Sequence, residues 1–222
     1  PIPSEEEIGR YYESDEYISH SNTSKGVVNA MYQVVRNKTL SDKVALLKSL
    51  SKGKKLLDNG SGTGEFLNRC KLSGFDISGI EPSQIARKQA KENFGVLVKQ
   101  EEELNEFAFE SFDFITMWHV LEHVYHLNER VVQIKRLLKK DGHLIVAVPN
   151  LESHDAKHYG KFWAAYDVPR HLYHFSPKNI KQLFEKHDFK LEKILPMKFD
   201  SFYVSMLSEK YKNGSGNLVN AF

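Results

Sequence analysis

The stretch Leu56-Leu57-Asp58-Asn59-Gly60-Ser61-Gly62-Thr63-Gly64-Glu65-Phe66-Leu67 gathers the residue types with the most to offer chemically. An acid, Asp58, lies within a short apolar run. Three glycines follow at alternate positions, Gly60, Gly62 and Gly64, with Ser61 between the first two. Three such glycines cost backbone entropy and return nothing in packing. Close approach of a ligand to bare main chain explains them better than an ordinary turn. The loop offers N–H groups, and the helix that follows offers its positive end. The spacing is G-x-G-x-G, not the G-x-G-x-x-G of dinucleotide loops. A pyrophosphate would be repelled by Asp58, whereas an amino group would be drawn to it. Glu81, followed by Pro82-Ser83, ends a second apolar run. There a carboxylate can accept from both hydroxyls of a ribose. Taken alone it also fits a strand-end turn or a nicotinamide site.

An adenosyl ligand carrying an amino group meets both acids, so S-adenosylmethionine is favoured over a nicotinamide cofactor. Methyl transfer from a sulfonium asks the protein for in-line positioning and a dry site. An oxygen nucleophile adds the need for a proton acceptor, and histidine suits that task near neutral pH. The candidates are His119, His123, His171 and His174. His171, in Pro169-Arg170-His171, is the first choice for a general base, against a plainer role in fixing its loop. His123 stands beside it, with a structural role in the Leu121-Glu122-His123 turn as its plainer reading. No metal is expected: His119, His123 and His126 share a segment, but no carboxylate completes an H-E-x-x-H pattern. Arg170 is suited to orient an anionic acceptor group. Trp163, Tyr166 and Tyr173 read equally as acceptor walls or as loop packing.

The elements that must position these residues follow from periodicity. Ser4 to Glu7 form a capping box. Tyr11, Tyr12, Tyr17 and His20 follow, and either close the ligand pocket or pack helices on the sheet edge. One helical face is made by Val27, Val28, Met31, Val34 and Val35, and another by Val44, Leu46, Leu47 and Leu50. From residue 54, short apolar runs alternate with helical stripes. Strands are expected at 55–59, 77–80, 96–98, 112–117, 144–148 and 191–195. Helices are expected after Phe66, from Ile85, over Leu127 to Leu138, after Ser176-Pro177, and over Phe202 to Tyr211. This alternation argues a doubly wound, mostly parallel α/β sheet with the strand ends along one rim. Residues 151–175 break the pattern and read as an irregular lid. The expected organisation is a helical cap at 1–50 and a ligand-binding domain at 51–222.

Charge narrows the partners. The chain has 222 residues with 31 Lys and Arg against 29 Asp and Glu, a formal net charge of +2. That balance gives no argument for nucleic acid. No apolar run approaches the roughly 18 residues of a membrane span. The one cysteine, Cys70, excludes a disulfide framework within the chain and reads as a small core residue. Nothing reads as a signal peptide, so a reducing, cytoplasmic setting is expected. The sequence begins Pro1-Ile2-Pro3 without methionine, which leaves a preceding segment open.

In sequence, LLDNGSGTG, GIEPS, FDFITMWHVLEHV and GHLIVAVPN resemble the successive motifs of class I S-adenosylmethionine-dependent methyltransferases. Residues 54–150 carry this likeness. The later DVPRHLYHFSPKNIKQLFEKHDF is similar to a small-molecule subgroup related to the ubiquinone-type O-methyltransferases. The resemblance implies a Rossmann-like methyltransferase fold with S-adenosylmethionine as cofactor and S-adenosylhomocysteine as product. It implies that Asp58 and Gly60, Ser61, Gly62 and Gly64 hold the methionine part. Glu81 and Pro82 would border the ribose, Gln100 and Glu101 the adenine, and Trp118 and His119 the sulfonium side. The acceptor would be a small molecule, with oxygen favoured, handled by a monomer or homodimer. Asn59 departs from the family, which has a small apolar residue there more often. So does Gln100-Glu101, where aspartate is common. Six strands are read, and the family sheet has a seventh, antiparallel one. The rival readings are an NAD(P)-dependent oxidoreductase and a non-catalytic S-adenosylmethionine-binding module.

Overall fold

A computed structural model describes residues 2–12 and 27–214, with backbone alone at 27–32. Tyr17 and His20, and the side chains of Val27, Val28 and Met31, lie outside the described residues. Helix α1 (Glu5–Ile8) carries the expected Ser4/Glu7 capping box. Helix α2 (Val27–Leu50) is one continuous helix where the sequence suggests two. No glycine or proline interrupts it, so nothing stops the helix between the two apolar faces.

Strand β1 (Lys55–Asn59), helix α3 (Glu65–Leu72), strand β2 (Asp76–Ile80) and helix α4 (Gln84–Phe94) follow the expected order. Strand β3 (Phe112–Trp118), helix α5 (Leu127–Leu137) and strand β4 (Leu138–Ala147) complete the sheet. Its order is β2-β1-β3-β4, and every pairing is parallel. The expected α/β class therefore holds, and the strand C-termini share one rim. The crossovers need helices between the strands, and the stripes on α3, α4 and α5 supply their buried faces.

Two expected strands are corrected. Residues 96–98 form no strand: only Lys99 pairs with the sheet, through a bridge to Ile80. Val96 is buried and Leu97 exposed, so the alternation is real, but the chain turns away at once into a 3-10 turn at Glu101–Glu106. Residues 191–195 are also not strand. Their apolar side chains Leu191, Ile194 and Leu195 are exposed and find no sheet partner among the described residues. The strand expected at 144–148 starts earlier, at Leu138. Its register jumps from Leu138 opposite Phe112 to His143 opposite Phe114, which absorbs the Asp141-Gly142 turn signal.

The chain divides into two compact units. One is Tyr32–Leu121 with His126–Val148. Its core joins Leu40, Val44 and Leu47 of α2, Phe66, Leu67 and Cys70 of α3, and Leu56 and Phe114 of the sheet. Cys70 is a free, fully buried thiol whose pKa burial pushes up. The other unit is Pro1–Met31, Glu122–Tyr125 and Pro149–Phe222. Within it, helix α6 (His154–Tyr159) leads into two 3-10 turns, Gly160–Phe162 and Ala164–Tyr166. Ala156, Tyr159, Trp163 and Ala165 make its small core, with Tyr166 and Val204 against it. Helix α7 (Pro177–Glu185) has the expected Ser176 cap. Helix α8 (Lys198–Asn213) ends at Gly214. No helix among the described residues is long and apolar enough to cross a membrane.

Candidate functional site

Asp58 sits one residue before the end of β1, paired on both sides by β2 and β3. It is 2% exposed. Thr116, opposite it on β3, donates its hydroxyl to Oδ1 at 2.6 Å. Burial pushes the Asp58 pKa up to about 7, and the Thr116 hydrogen bond and the charge of Lys43 oppose the rise. A carboxylate so placed is poised to gain from a cation brought to it, because attraction between charges strengthens as water is excluded.

The glycine loop then leaves the sheet. Gly60 and Ser61 donate their N–H groups to the Ile80 carbonyl at 2.8 and 2.9 Å. The Ser61 hydroxyl donates back to the Asp58 carbonyl at 2.7 Å. Two glycines are required by space: a Cβ on Gly60 would lie 2.3 Å from Val120, and one on Gly64 2.7 Å from Ala90, with φ +83° and +76°. Gly62, at φ +52°, is half-buried, and a Cβ added there would meet nothing within 4 Å. Its N–H donates to the Glu81 carboxylate at 2.8 Å. Glu81 also accepts from the Ser83 N–H at 2.9 Å. Burial raises its pKa, against these two hydrogen bonds. The Arg87 guanidinium donates to the carbonyls of Glu81 and Pro82, fixing the turn after β2.

Gln100 caps the 3-10 turn, and its N–H donates to Glu103. Glu101 pairs with Arg130, which also donates to Asn59 Oδ1 at 3.3 Å. Trp118 ends β3, packed edge-on against Phe66. The Lys43 ammonium lies 4.1 Å over the Trp118 ring. His119 adopts φ +56° as the chain leaves the sheet, and its N–H donates to the Ala147 carbonyl at 2.9 Å. The positions expected on the cofactor side all belong to the unit that carries the sheet.

The other unit gathers the remaining candidates. Glu122, fully buried, accepts the Leu172 N–H at its carbonyl. His171 donates from Nδ1 to the Ala165 carbonyl at 2.8 Å, which leaves Nε2 as the lone-pair nitrogen of the neutral ring. Nε2 lies 4.0 Å from Glu122 and 3.7 Å from Asp167. Burial, and then the neighbouring His123, lower its pKa and favour the neutral ring. His123 Nδ1 is 3.0 Å from the Arg170 carbonyl and 2.9 Å from the Tyr12 hydroxyl. Glu122, His123 and His171 each offer a ligand atom within 4.8 Å of the others. No local pattern joins Glu122 to the two histidines, since His171 lies far along the chain from the Glu122-His123 turn. Arg170 is held by Asp167. Tyr173 stacks on Phe175 and donates to the Tyr125 carbonyl. Trp163 is buried in the small core of this unit.

Residues 32–194 match the family described as "Methyltransferase domain". This chain belongs to the class I S-adenosylmethionine-dependent methyltransferases. It is 34% identical over 109 residues to the ubiquinone biosynthesis O-methyltransferase of Actinobacillus pleuropneumoniae, across 44% of this chain and 47% of that protein. The chain thus spans about half the length of the curated relatives it matches. Among solved structures it resembles a methyltransferase of Thermotoga maritima titled as a possible histamine N-methyltransferase, at 26% identity and TM-score 0.58, covering 74% of this chain and 78% of that one. The magnesium protoporphyrin IX methyltransferase of Synechocystis, solved with bound S-adenosylhomocysteine, shares the fold at 17% identity and TM-score 0.64, over 86% and 91% of the two chains. The cofactor of this methyltransferase is S-adenosylmethionine, and the geometry fits it: a buried acid, open space beside a half-buried Gly62 and a second acid after β2.

Sequence reasoning passed over Thr116, Lys43, Glu122 and Arg130. Thr116 lies in an apolar strand run and Lys43 in an amphipathic helix, so neither carries a local signal. For Asp58 the consequence is testable. Its folded pKa, about 7, lies above its ordinary 3.8. The folded state therefore binds more protons across that window, and stability falls as pH rises through it. Asp58→Asn keeps an acceptor for Thr116 and removes the charge. Without cofactor, the variant is expected to melt about 2–8 °C above wild type near pH 8, with the gap closing toward pH 4. Thermal melts at both pH values check this, and an unchanged or lower melting temperature near pH 8 contradicts the burial account.

Proposed function

We propose that this methyltransferase transfers the methyl group of S-adenosylmethionine to a small-molecule acceptor, with oxygen as the favoured nucleophile, in a cytoplasmic setting. The observation that carries the reading is the buried Asp58 with open space beside Gly62. Asp58 receives the amino group of the methionine part, and Glu81 receives the ribose hydroxyls. Gln100 and Glu101 border the adenine, and Trp118 and His119 line the sulfonium. Residues 151–175 serve the acceptor as a lid, with Arg170, Tyr173 and Trp163 shaping that side. Similarity to ubiquinone biosynthesis O-methyltransferases supports an oxygen acceptor.

When bound, S-adenosylmethionine would supply its activated methyl group to the acceptor oxygen and leave as S-adenosylhomocysteine. The acceptor's proton leaves to a base. His171 is that base in this reading: burial keeps its ring neutral, and the Ala165 carbonyl fixes its tautomer. Replacing His171 by alanine is expected to leave S-adenosylhomocysteine affinity within about twofold and to lower kcat by roughly 10²-fold or more on a hydroxyl acceptor. A coupled assay of S-adenosylhomocysteine release, run against catechols, phenols and amines, checks both halves. Turnover of amines only, or unchanged kcat in His171→Ala, contradicts the reading.

The same cluster favours a second reading, in which Glu122, His123 and His171 hold a divalent ion that assists deprotonation of a bound hydroxyl. Two imidazoles and a carboxylate suit zinc, cobalt or manganese. Titrating metal-free protein with cobalt(II) should then give visible d–d bands at one equivalent. Glu122→Gln and His171→Ala should each abolish them. A featureless spectrum leaves His171 to act as base alone.

A further inference from the structure

The nucleoside side of the site is built differently from the rest of the rim. β1, β2 and β3 end in a continuous hydrogen-bonded sheet. Next to β2, where a further strand is expected, only Lys99 is tied to it: its N–H donates to the Gly79 carbonyl and its carbonyl accepts from the Glu81 N–H, both at 2.9 Å. One bridged residue cannot hold the segment that follows. Helix α5 holds it instead. Arg136 donates to the carbonyls of Leu104 and Asn105, Gln133 donates to the Asn105 side chain, and Arg130 pairs with Glu101.

Arg130 differs from the other two in what it joins. Its side chain is 11% exposed. One nitrogen meets Glu101, another meets Asn59 at the end of β1, and a third meets Gln133 at 3.3 Å. Asn59 is 2% exposed, and its Nδ2 has no partner among the described residues. Among the described residues, its side chain is hydrogen-bonded through Oδ1 to Arg130. Glu101 is also a charge neighbour of Glu81 and opposes its ionisation. The charge of Arg87 already favours the ionised form of Glu81, and Arg130, paired with Glu101, is placed to screen the second carboxylate.

We infer that Arg130 is a positioning residue for cofactor binding: by neutralising Glu101 and anchoring it to Asn59, it keeps the nucleoside half of the site formed and leaves Glu81 free to accept the ribose. This inference rests on the assignment of Glu81, Gln100 and Glu101 to that half. Arg130 itself touches no part of the ligand in this account. Its effect is therefore felt through Glu101 and falls on the adenosine moiety.

The test is calorimetric titration of folded protein with S-adenosylhomocysteine and with 5′-methylthioadenosine, which lacks the amino-acid part. Four proteins are compared: wild type, Arg130→Met, Glu101→Gln, and the double variant. Arg130→Met is expected to weaken both ligands by a similar factor, roughly tenfold or more, because a carboxylate is left unpaired in a partly buried site. In the Glu101→Gln background the same change is expected to cost less than about threefold. Arg130→Lys, which keeps the charge beside Glu101, is expected to retain most of the affinity. It also serves if the methionine variant fails to fold. Three results overturn the inference: wild-type affinity in Arg130→Met, an equal loss in both backgrounds, or a loss confined to S-adenosylhomocysteine. If wild type itself fails to bind S-adenosylhomocysteine, the cofactor site assignment falls and this inference falls with it. If wild type binds and Arg130→Met is unaffected, this inference alone fails.

Discussion

A carboxylate buried inside a parallel sheet is the constraint around which this methyltransferase is arranged. Asp58 is carried by β1, an interior strand with β2 on one side and β3 on the other, so water cannot reach it along the sheet. One hydrogen bond from Thr116 does not offset that burial, and the acid is left with a pKa of about 7. An isolated buried charge of this kind is a liability to the fold unless something repays it. A cationic group on the ligand is the natural compensation. On the proposed reading the glycine loop supplies the access, because nothing lies within 4 Å of where a Gly62 side chain would be. On the proposed reading, the cost to stability and the capacity to bind have one source.

The rest of the rim follows from the same geometry. Parallel strands end together, so whatever follows each strand lies at one edge. After β1 comes the glycine loop, after β2 the Glu81 turn, and after β3 Trp118 and His119. Lys43 comes from outside the sheet, on α2, and its ammonium lies over the Trp118 ring while lowering the pKa of Asp58. The site is held where the sheet is regular by strand pairing, and where the sheet is incomplete by side chains of α5.

Most of the strands and helices from Lys55 to Ala147 were legible in the sequence because their apolar residues follow strand and helix patterns. Leu56 and Leu57 are both fully buried, as expected of a strand covered on both faces. The failures have the same origin. A run such as Leu191 to Leu195 has strand-like composition, but pairing is a property of a partner, and this run has none among the described residues. Val96 to Val98 alternates correctly, yet the edge position and the turn at Gln100 limit pairing to Lys99. Among the proposed site residues, Asp58, the glycines and Glu81 stand out by local spacing. Thr116 meets Asp58 across 58 residues of sequence and Arg130 meets Asn59 across 71, and no local pattern encodes such distances. The Glu122, His123 and His171 cluster was hidden for the same reason, since only folding brings the Arg170 carbonyl to His123.

The most direct measurement of the central claim is a parallel calorimetric titration of the purified chain with S-adenosylmethionine, S-adenosylhomocysteine and NADH at two pH values on either side of 7. If Asp58 and the glycine loop receive the methionine part, both adenosyl ligands bind with micromolar affinity or better and NADH does not bind. Their affinity should also rise with pH as Asp58 ionises. Binding of NADH in place of the adenosyl ligands would contradict the account, as would adenosyl affinity that falls as Asp58 becomes charged.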